Sequence, residues 1–335
     1  CGQSPADRAA PAAQTAADGE YTVPRTAWGD PDLQGKWPGT AMVGVPMQRD
    51  EKLGLRNVLN DEEFAEREAR AARQTEQDNA DFDLETAGST PGGDVGGPVS
   101  PPPHWLERGQ PQRQASLIVD PPNGRQPALT AQAQERAAAL RKAREGRGPA
   151  DSYTDRSNYD RCITRGLAGS ILPVIYNNGT QIMQAPGYVA IVNEMIHETR
   201  VVPLDGRPHV SSDIQMWLGD SRGRWEGDTL VVETTNFTDR TGVGVNGGGT
   251  RNSGALKITE RYTRISPDRI DYKMTIDDPE TWTAPWTMEF PLDRDDDYGM
   301  FEYACHEGNL AMFHILSGAR ADERNAAAAK PAGAR

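Results

Sequence analysis

The chain has 335 residues, a formal net charge of −13, 36% hydrophobic residues, 34 glycines and 25 prolines. No apolar run approaches the roughly 20 residues of a membrane-spanning helix, and no basic stripe could release counterions from phosphates, so nucleic acid is not an expected partner. The length fits two average domains or one β-rich domain with long appendages, and the glycine and proline content favours the second.

The first residues, Cys1-Gly2-Gln3-Ser4-Pro5-Ala6, have the form of a bacterial lipoprotein after removal of its signal peptide, with Cys1 carrying lipid. The competing reading is a non-native terminus. Residues 1–24 offer little to bury and read as a disordered tether, so contact with a membrane is expected through the lipid only. In an oxidising envelope compartment the two remaining cysteines, Cys162 and Cys305, form an even pair expected to be a disulfide. The alternative is two buried free thiols.

Residues 25–113 read as an irregular arm, anchored by Trp28 and Trp37, with one helix and a Gly/Pro-rich loop over 86–103. The helix start is marked by Asn60 as N-cap and Glu63 three residues on, and the pattern runs to about Arg73. A β-rich body is expected over 114–323 and a disordered tail over 324–335. Within the body, 114–120 reads as a short strand ended by Pro121-Pro122-Asn123-Gly124, and Thr130 caps a second helix running to about Arg147.

Beyond Gln181 the pattern changes to β-branched runs separated by turns. Strands are predicted over 187–194, 196–204, 216–218, 229–236, 256–265, 269–276, 286–292 and 300–305, with turns at 204–208, 220–223, 226–228, 266–268 and 277–279. The fold class expected is mainly β, an antiparallel barrel or sandwich with an N-terminal extension carrying two short helices. The hairpin about Ser266-Pro267-Asp268 is the clearest. Ile258, Glu260, Tyr262 and Arg264 alternate with polar residues on one arm, and Ile270, Tyr272, Met274 and Ile276 on the other.

The string 217–237, Trp-Leu-Gly-Asp-Ser-Arg-Gly-Arg-Trp-Glu-Gly-Asp-Thr-Leu-Val-Val-Glu-Thr-Thr-Asn-Phe, resembles a widespread family of secreted bacterial proteins that has no assigned activity. Leu204-Asp205-Gly206-Arg207-Pro208-His209, Glu260-Arg261-Tyr262-Thr263-Arg264 and Tyr303-Ala304-Cys305-His306-Glu307-Gly308-Asn309 agree with it. The resemblance spans about 116–323 and implies an exported, lipocalin-like β body. It lends no catalytic role.

Candidate chemistry therefore rests on the residues themselves. His306 and Glu307, beside Cys305 and expected at the end of the last strand, are a candidate proton-transfer pair, with Asn309 nearby. The bland reading is that they hold a loop. Glu194 and His197 form a second cluster. On an uninterrupted strand the two face opposite sides. Glu260 or Glu194 is the carboxylate expected across a cavity. Tyr176, Asn177, Trp217, Trp282 and Trp286 are candidate ligand-wall residues, although tryptophan in a β body is more often core.

The five histidines, at 104, 197, 209, 306 and 314, lack the i, i+4 spacing of a helical zinc site, which leaves only a cross-strand set of His197, His209 and His306. Residues 242–249 read as a mobile glycine-rich loop without a following helix, and no cofactor is expected. Two functions follow. One is an envelope lipoprotein enzyme, a lyase, isomerase or hydrolase using acid/base chemistry on a small hydroxylated substrate such as a sugar or phenolic. The other is a non-catalytic lipoprotein that binds a ligand or partner.

Overall fold

The computed structural model describes residues 21–78 and 105–329. Cys1, most of the expected tether, the 86–103 loop and the last residues of the tail lie outside them. No described helix is long and apolar enough to cross a membrane.

The chain enters through the arm, which supplies the short strand β1 (Gly35–Lys36) and the helix α1 (Asp61–Asp78). The start of α1 is a reciprocal cap: Glu63 N–H donates to Asn60 Oδ1 at 2.9 Å, and Asn60 N–H donates to Glu63 Oε2 at 3.0 Å. The body then gives β2 (Ile118–Asp120), α2 (Ala131–Ala143) and the short α3 (Gly166–Ile171). Thr130 caps α2 as expected, accepting from Ala133 N–H at 3.1 Å.

Two antiparallel sheets follow, so the protein is mainly β. Strands β3 (Thr180–Ala185), β4 (Tyr188–Asn193) and β5 (Thr199–Pro203) join β1 in the order β1-β3-β4-β5. The larger sheet contains β6 (Asp220–Glu226), β7 (Thr229–Thr235), β8 (Lys257–Ser266), β9 (Arg269–Asp277) and β10 (Trp286–Asp293), in the order β2-β10-β9-β8-β7-β6. Neither sheet closes on itself. The helix α4 (Leu310–Ala329) ends the described chain.

The inward faces of the two sheets share one core. Ile182, Ile191 and Val202 come from the smaller sheet, and Leu230, Val232, Ile258, Tyr262, Tyr272 and Phe290 from the larger. The β8–β9 hairpin keeps its predicted alternation, with Ile258, Glu260, Tyr262 and Arg264 all buried. Trp37 is fully buried, and its main chain continues the β1–β3 pairing by donating to Thr180 O at 2.7 Å. The arm is thus built into the core.

Five expectations are corrected. Residues 220–223 are not a turn but the start of β6, whose partner β7 sits across a tight turn at Gly227. The segment 216–218 makes only a single parallel bridge, Met216 to Phe237, because Asn236 takes a positive φ and swings the chain out of the sheet. The run 196–204 is strand only over Thr199–Pro203, since Ile196 and His197 have φ of 55° and 45° and break the ladder. No strand forms at 300–305, so His306 and Glu307 follow a coil. The expected tail is helical to Ala329, in keeping with the high helix propensity of its alanines.

Candidate functional site

Several residues singled out from sequence converge where the disulfide crosses from the segment before α3 to the segment before α4. Cys162 and Cys305 are bonded, with Cα atoms 5.7 Å apart. The chain reaches Cys162 through a one-turn structure in which Asp160 N–H donates to Ser157 Oγ and Cys162 N–H to Tyr159 O, and Cys162 exits with φ of 54°. Asn309 Nδ2 donates to Cys162 Sγ at 3.1 Å and to Asp160 O at 3.2 Å, so Asn309 holds the two sides of the crossing together.

Three phenols meet beside this crossing. The Tyr159 hydroxyl lies 2.6 Å from that of Tyr176 and 2.9 Å from that of Tyr303. Burial, reinforced for Tyr176 by its hydrogen bond to Tyr159, raises Tyr159 and Tyr176 to about 12. Tyr303 is raised too, mainly by burial. At neutral pH all three are therefore neutral hydroxyls, able to donate to an oxygen that gains charge.

Arg165, the residue before α3, lies under these phenols at 2% exposure, with its guanidinium 4.9 Å from the centre of the Tyr159 ring. Its Nε and Nη1 have no hydrogen-bond partner among the described residues. Burial lowers its pKa, opposed by the Tyr159, Tyr176, Tyr303 and Glu198 oxygens, and it remains a cation at neutral pH. Burying such a charge without a counter-ion costs several kcal/mol, of which the ring contact returns about 1–2 kcal/mol. Glu198, at the inward face just before β5, accepts short hydrogen bonds from the Thr164 and Ser170 hydroxyls. Burial raises its pKa against those hydroxyls and the nearby Arg200 and Arg165.

The strained turn between β4 and β5 explains how the second sequence cluster reaches this place. The two successive residues with positive φ, Ile196 and His197, turn Glu194 and His197 toward the same segment, 298–303. Glu194 is buried and accepts from Asn177 Nδ2 at 2.8 Å, Phe301 N–H at 3.0 Å, Gly179 N–H at 3.2 Å and the Tyr298 hydroxyl at 2.7 Å. His197 Nδ1 is 3.1 Å from Tyr303 O, a contact that puts the ring proton on Nδ1. Its ring centre is 6.5 Å from that of His306, and both imidazoles are exposed. Four of the six non-glycine residues with positive φ among the described residues, Cys162, Asn177, Ile196 and His197, thus surround one cluster. A β-branched residue such as Ile196 is rare in that conformation, and backbone strain of this kind gathers at functional sites.

The structure therefore brings together Tyr176, Asn177, Glu194, His197, Cys162, Cys305, His306 and Asn309. Glu307 is exposed on the same loop as His306. Glu260 lies elsewhere, fully buried between the sheets, where it accepts from Arg200 on β5 and from the Tyr262 and Tyr272 hydroxyls at 2.7 and 2.9 Å. Trp282 and Trp286 stack edge to face in the core with centres 5.5 Å apart, and Trp217 is half-buried beside the Met216 bridge. His209 is occupied by Asp220 at 3.0 Å and faces Glu233, apart from His197 and His306. Among the described residues no three His, Cys, Asp or Glu side chains are grouped to hold a metal ion.

Sequence reasoning missed Arg165, Tyr159, Tyr303 and Glu107, and had Glu198 only as a member of the run that begins at Glu194. Of the four missed, only Tyr303 carried a signal, its place two residues before Cys305. Glu107 caps the turn before β3, accepting from Asn177 N–H, Asn178 N–H and Asn178 Nδ2, and shares the Tyr298 hydroxyl with Glu194. The glycine-rich segment 242–249 is docked against α3, where a Cβ on Gly247 would come within 2.7 Å of Arg165 O. A recess of about 1350 Å³ lies between α1 and the 43–46 and 106–112 segments; Glu107 is on its wall, and none of the candidate catalytic or ligand-binding residues read from sequence lines it. Compared with known proteins, the chain matches no family model, no curated protein and no solved structure.

Proposed function

We propose that the protein is an envelope lipoprotein, anchored through lipid on Cys1, whose tyrosine–histidine cluster performs acid/base chemistry on a small hydroxylated substrate such as a sugar or phenolic. The body on this reading is a lipocalin-like sandwich, its two sheets clamped by the Arg200–Glu260 pair. The observation that carries the catalytic reading is the chain of phenols Tyr176, Tyr159 and Tyr303, continued through the Tyr303 carbonyl to His197 and within ring-to-ring reach of His306. Neutral phenols donate to a developing oxyanion while an imidazole takes or returns a carbon-bound or hydroxyl proton, the division of labour of a lyase or isomerase. Glu307 stands next to His306 as its candidate partner.

The test is exchange of carbon-bound hydrogen for deuterium in D₂O, followed by proton NMR with sugars, sugar acids and phenolic acids as substrates. The expected result is exchange that falls about 10²- to 10⁴-fold in His306→Ala and Tyr159→Phe. Unchanged exchange in both variants would remove the cluster from catalysis. The binding-only reading draws on one observation: burial raises every phenol of the cluster and lowers none, so none is activated as a base.

A further inference from the structure

We propose that the ligand of this site carries a carboxylate that pairs with Arg165, which makes it a hydroxylated acid of the sugar-acid or phenolic-acid type. The inference rests on the placement of the site proposed above, and names its substrate class.

Among the described residues four arginines are buried, and three have their donors engaged. Arg49 donates to Pro122 O and Asn57 Oδ1, Arg264 to Asp32 O and Pro267 O, and Arg200 to both oxygens of Glu260. Arg165 is the exception: among the described residues its Nε and Nη1 have no hydrogen-bond partner and no carboxylate forms an ion pair with it. Its surroundings do not supply the missing charge. The three phenols are neutral donors, and Glu198 is turned to the Thr164 and Ser170 hydroxyls. An anion brought to the guanidinium receives charge-assisted hydrogen bonds from it and further hydrogen bonds from the phenols.

A single negative charge fits better than a phosphate dianion, because among the described residues Arg165 is the one unpaired arginine of the cluster and Glu198 lies within its electrostatic reach. A planar carboxylate also matches the guanidinium geometry. Hydroxyls on the same ligand then meet the phenol chain, a set of groups that both donate and accept.

The test uses the full disulfide-bonded chain and formate as the smallest carboxylate probe, with chloride at equal ionic strength as reference and inorganic phosphate as a third arm. Thermal unfolding of the wild type should shift upward by about 2–4 °C once formate reaches about ten times its dissociation constant. Arg165→Met, which removes the charge and keeps the volume, should melt at or above the wild-type temperature in chloride and show no formate response. Equal effects of formate and chloride on the wild type would overturn the proposal, and this holds even where the variant fails to fold. A marked loss of stability in Arg165→Met would also overturn it, by showing the guanidinium to be satisfied within the protein. Greater stabilisation by phosphate than by formate would replace it with a phosphoryl ligand. A formate response without hydrogen exchange on any substrate leaves the carboxylate site standing and removes the catalytic reading. Exchange on neutral sugars that survives in Arg165→Met does the reverse.

Discussion

Arg200 on β5 and Glu260 on β8 face each other across the two sheets, joined by hydrogen bonds of 2.5 and 2.9 Å with side chains 6% and 0% exposed. Burial alone would lower the arginine, but the Glu260 charge more than offsets it and the net direction is upward. Removing one member strands the other in the core. Arg200→Met or Glu260→Gln should each lower stability by about 3–5 kcal/mol, and the double variant Arg200→Met/Glu260→Gln, which keeps an acceptor for the Tyr262 and Tyr272 hydroxyls, should lose less than the two single losses added together. Denaturant unfolding of the four proteins measures it. A loss in the double variant equal to the two single losses added together would show that the pair is not coupled.

The predictable part of this arrangement was the face on which Glu260 lies. Period-two alternation over 258–264 and 270–276 places Glu260 with Ile258, Tyr262 and Met274, and that face is the core. Its partner was hidden, because Arg200 comes from another sheet and no local pattern connects residues 60 positions apart. The same reason hid the functional cluster. Arg165, Tyr159 and Tyr303 sit outside regular strands, and their meeting depends on a disulfide and on two residues of unusual φ, Cys162 and Ile196, to which hydrophobic periodicity is blind. Caps were legible at Asn60 and Thr130 because both partners lie within three residues of each other.

The disulfide should act on both stability and site geometry. Cys162 and Cys305 close a loop of 143 residues, so replacing both with serine should cost about 2–5 kcal/mol. The variant should also loosen Tyr303 and His306, whose segment is tied to the body through Cys305. Tyrosine fluorescence and proton NMR of the imidazoles report this under native conditions. An unchanged His306 resonance in the variant would mean the loop is held by other contacts.

Phenol titration offers a direct reading of the cluster. Tyr159, Tyr176 and Tyr303 have folded pKa values above the unfolded value near 10, the first two at about 12. The sign follows from linkage: between pH 10 and 12 the folded state binds more protons than the unfolded, so the stability these groups contribute is complete below pH 10 and declines as pH rises toward 12. Ultraviolet titration at the tyrosinate band should show these residues ionising late, and Tyr159→Phe should lower the apparent value for Tyr176 by removing its neighbour. Ionisation of Tyr176 near 10 in the folded wild type would contradict the burial of the cluster.

Gly179 marks the tightest approach in the neighbourhood of Glu194. A Cβ there would meet Met300 Sδ, Glu194 Oε2 at 2.6 Å and Tyr298 Cε1 at 2.7 Å. Gly179→Ala should therefore cost about 1–3 kcal/mol through overpacking. Glu194→Ala should cost a similar amount for a different reason, since it leaves Asn177 Nδ2 and the Gly179 and Phe301 N–H groups without their acceptor, while Tyr298 keeps Glu107. Thermal melting of the two variants compares them, and a neutral Gly179→Ala would show that the 298–301 segment yields to the added methyl.

The pairing of β1 with β3 has a consequence for how the chain can be divided. Gly35 and Lys36 lie opposite Ile182 and Gln181, Trp37 bonds Thr180, and Leu33 N–H donates to Gln184 Oε1. A protein that begins at residue 114 would leave β3 with a bare row of main-chain donors and acceptors next to the void left by Leu33 and Trp37. Such an open edge invites a strand from a neighbouring molecule, so a shortened protein should gather through this edge into larger oligomers than the full chain forms, and adding back a peptide spanning 25–45 should disperse them.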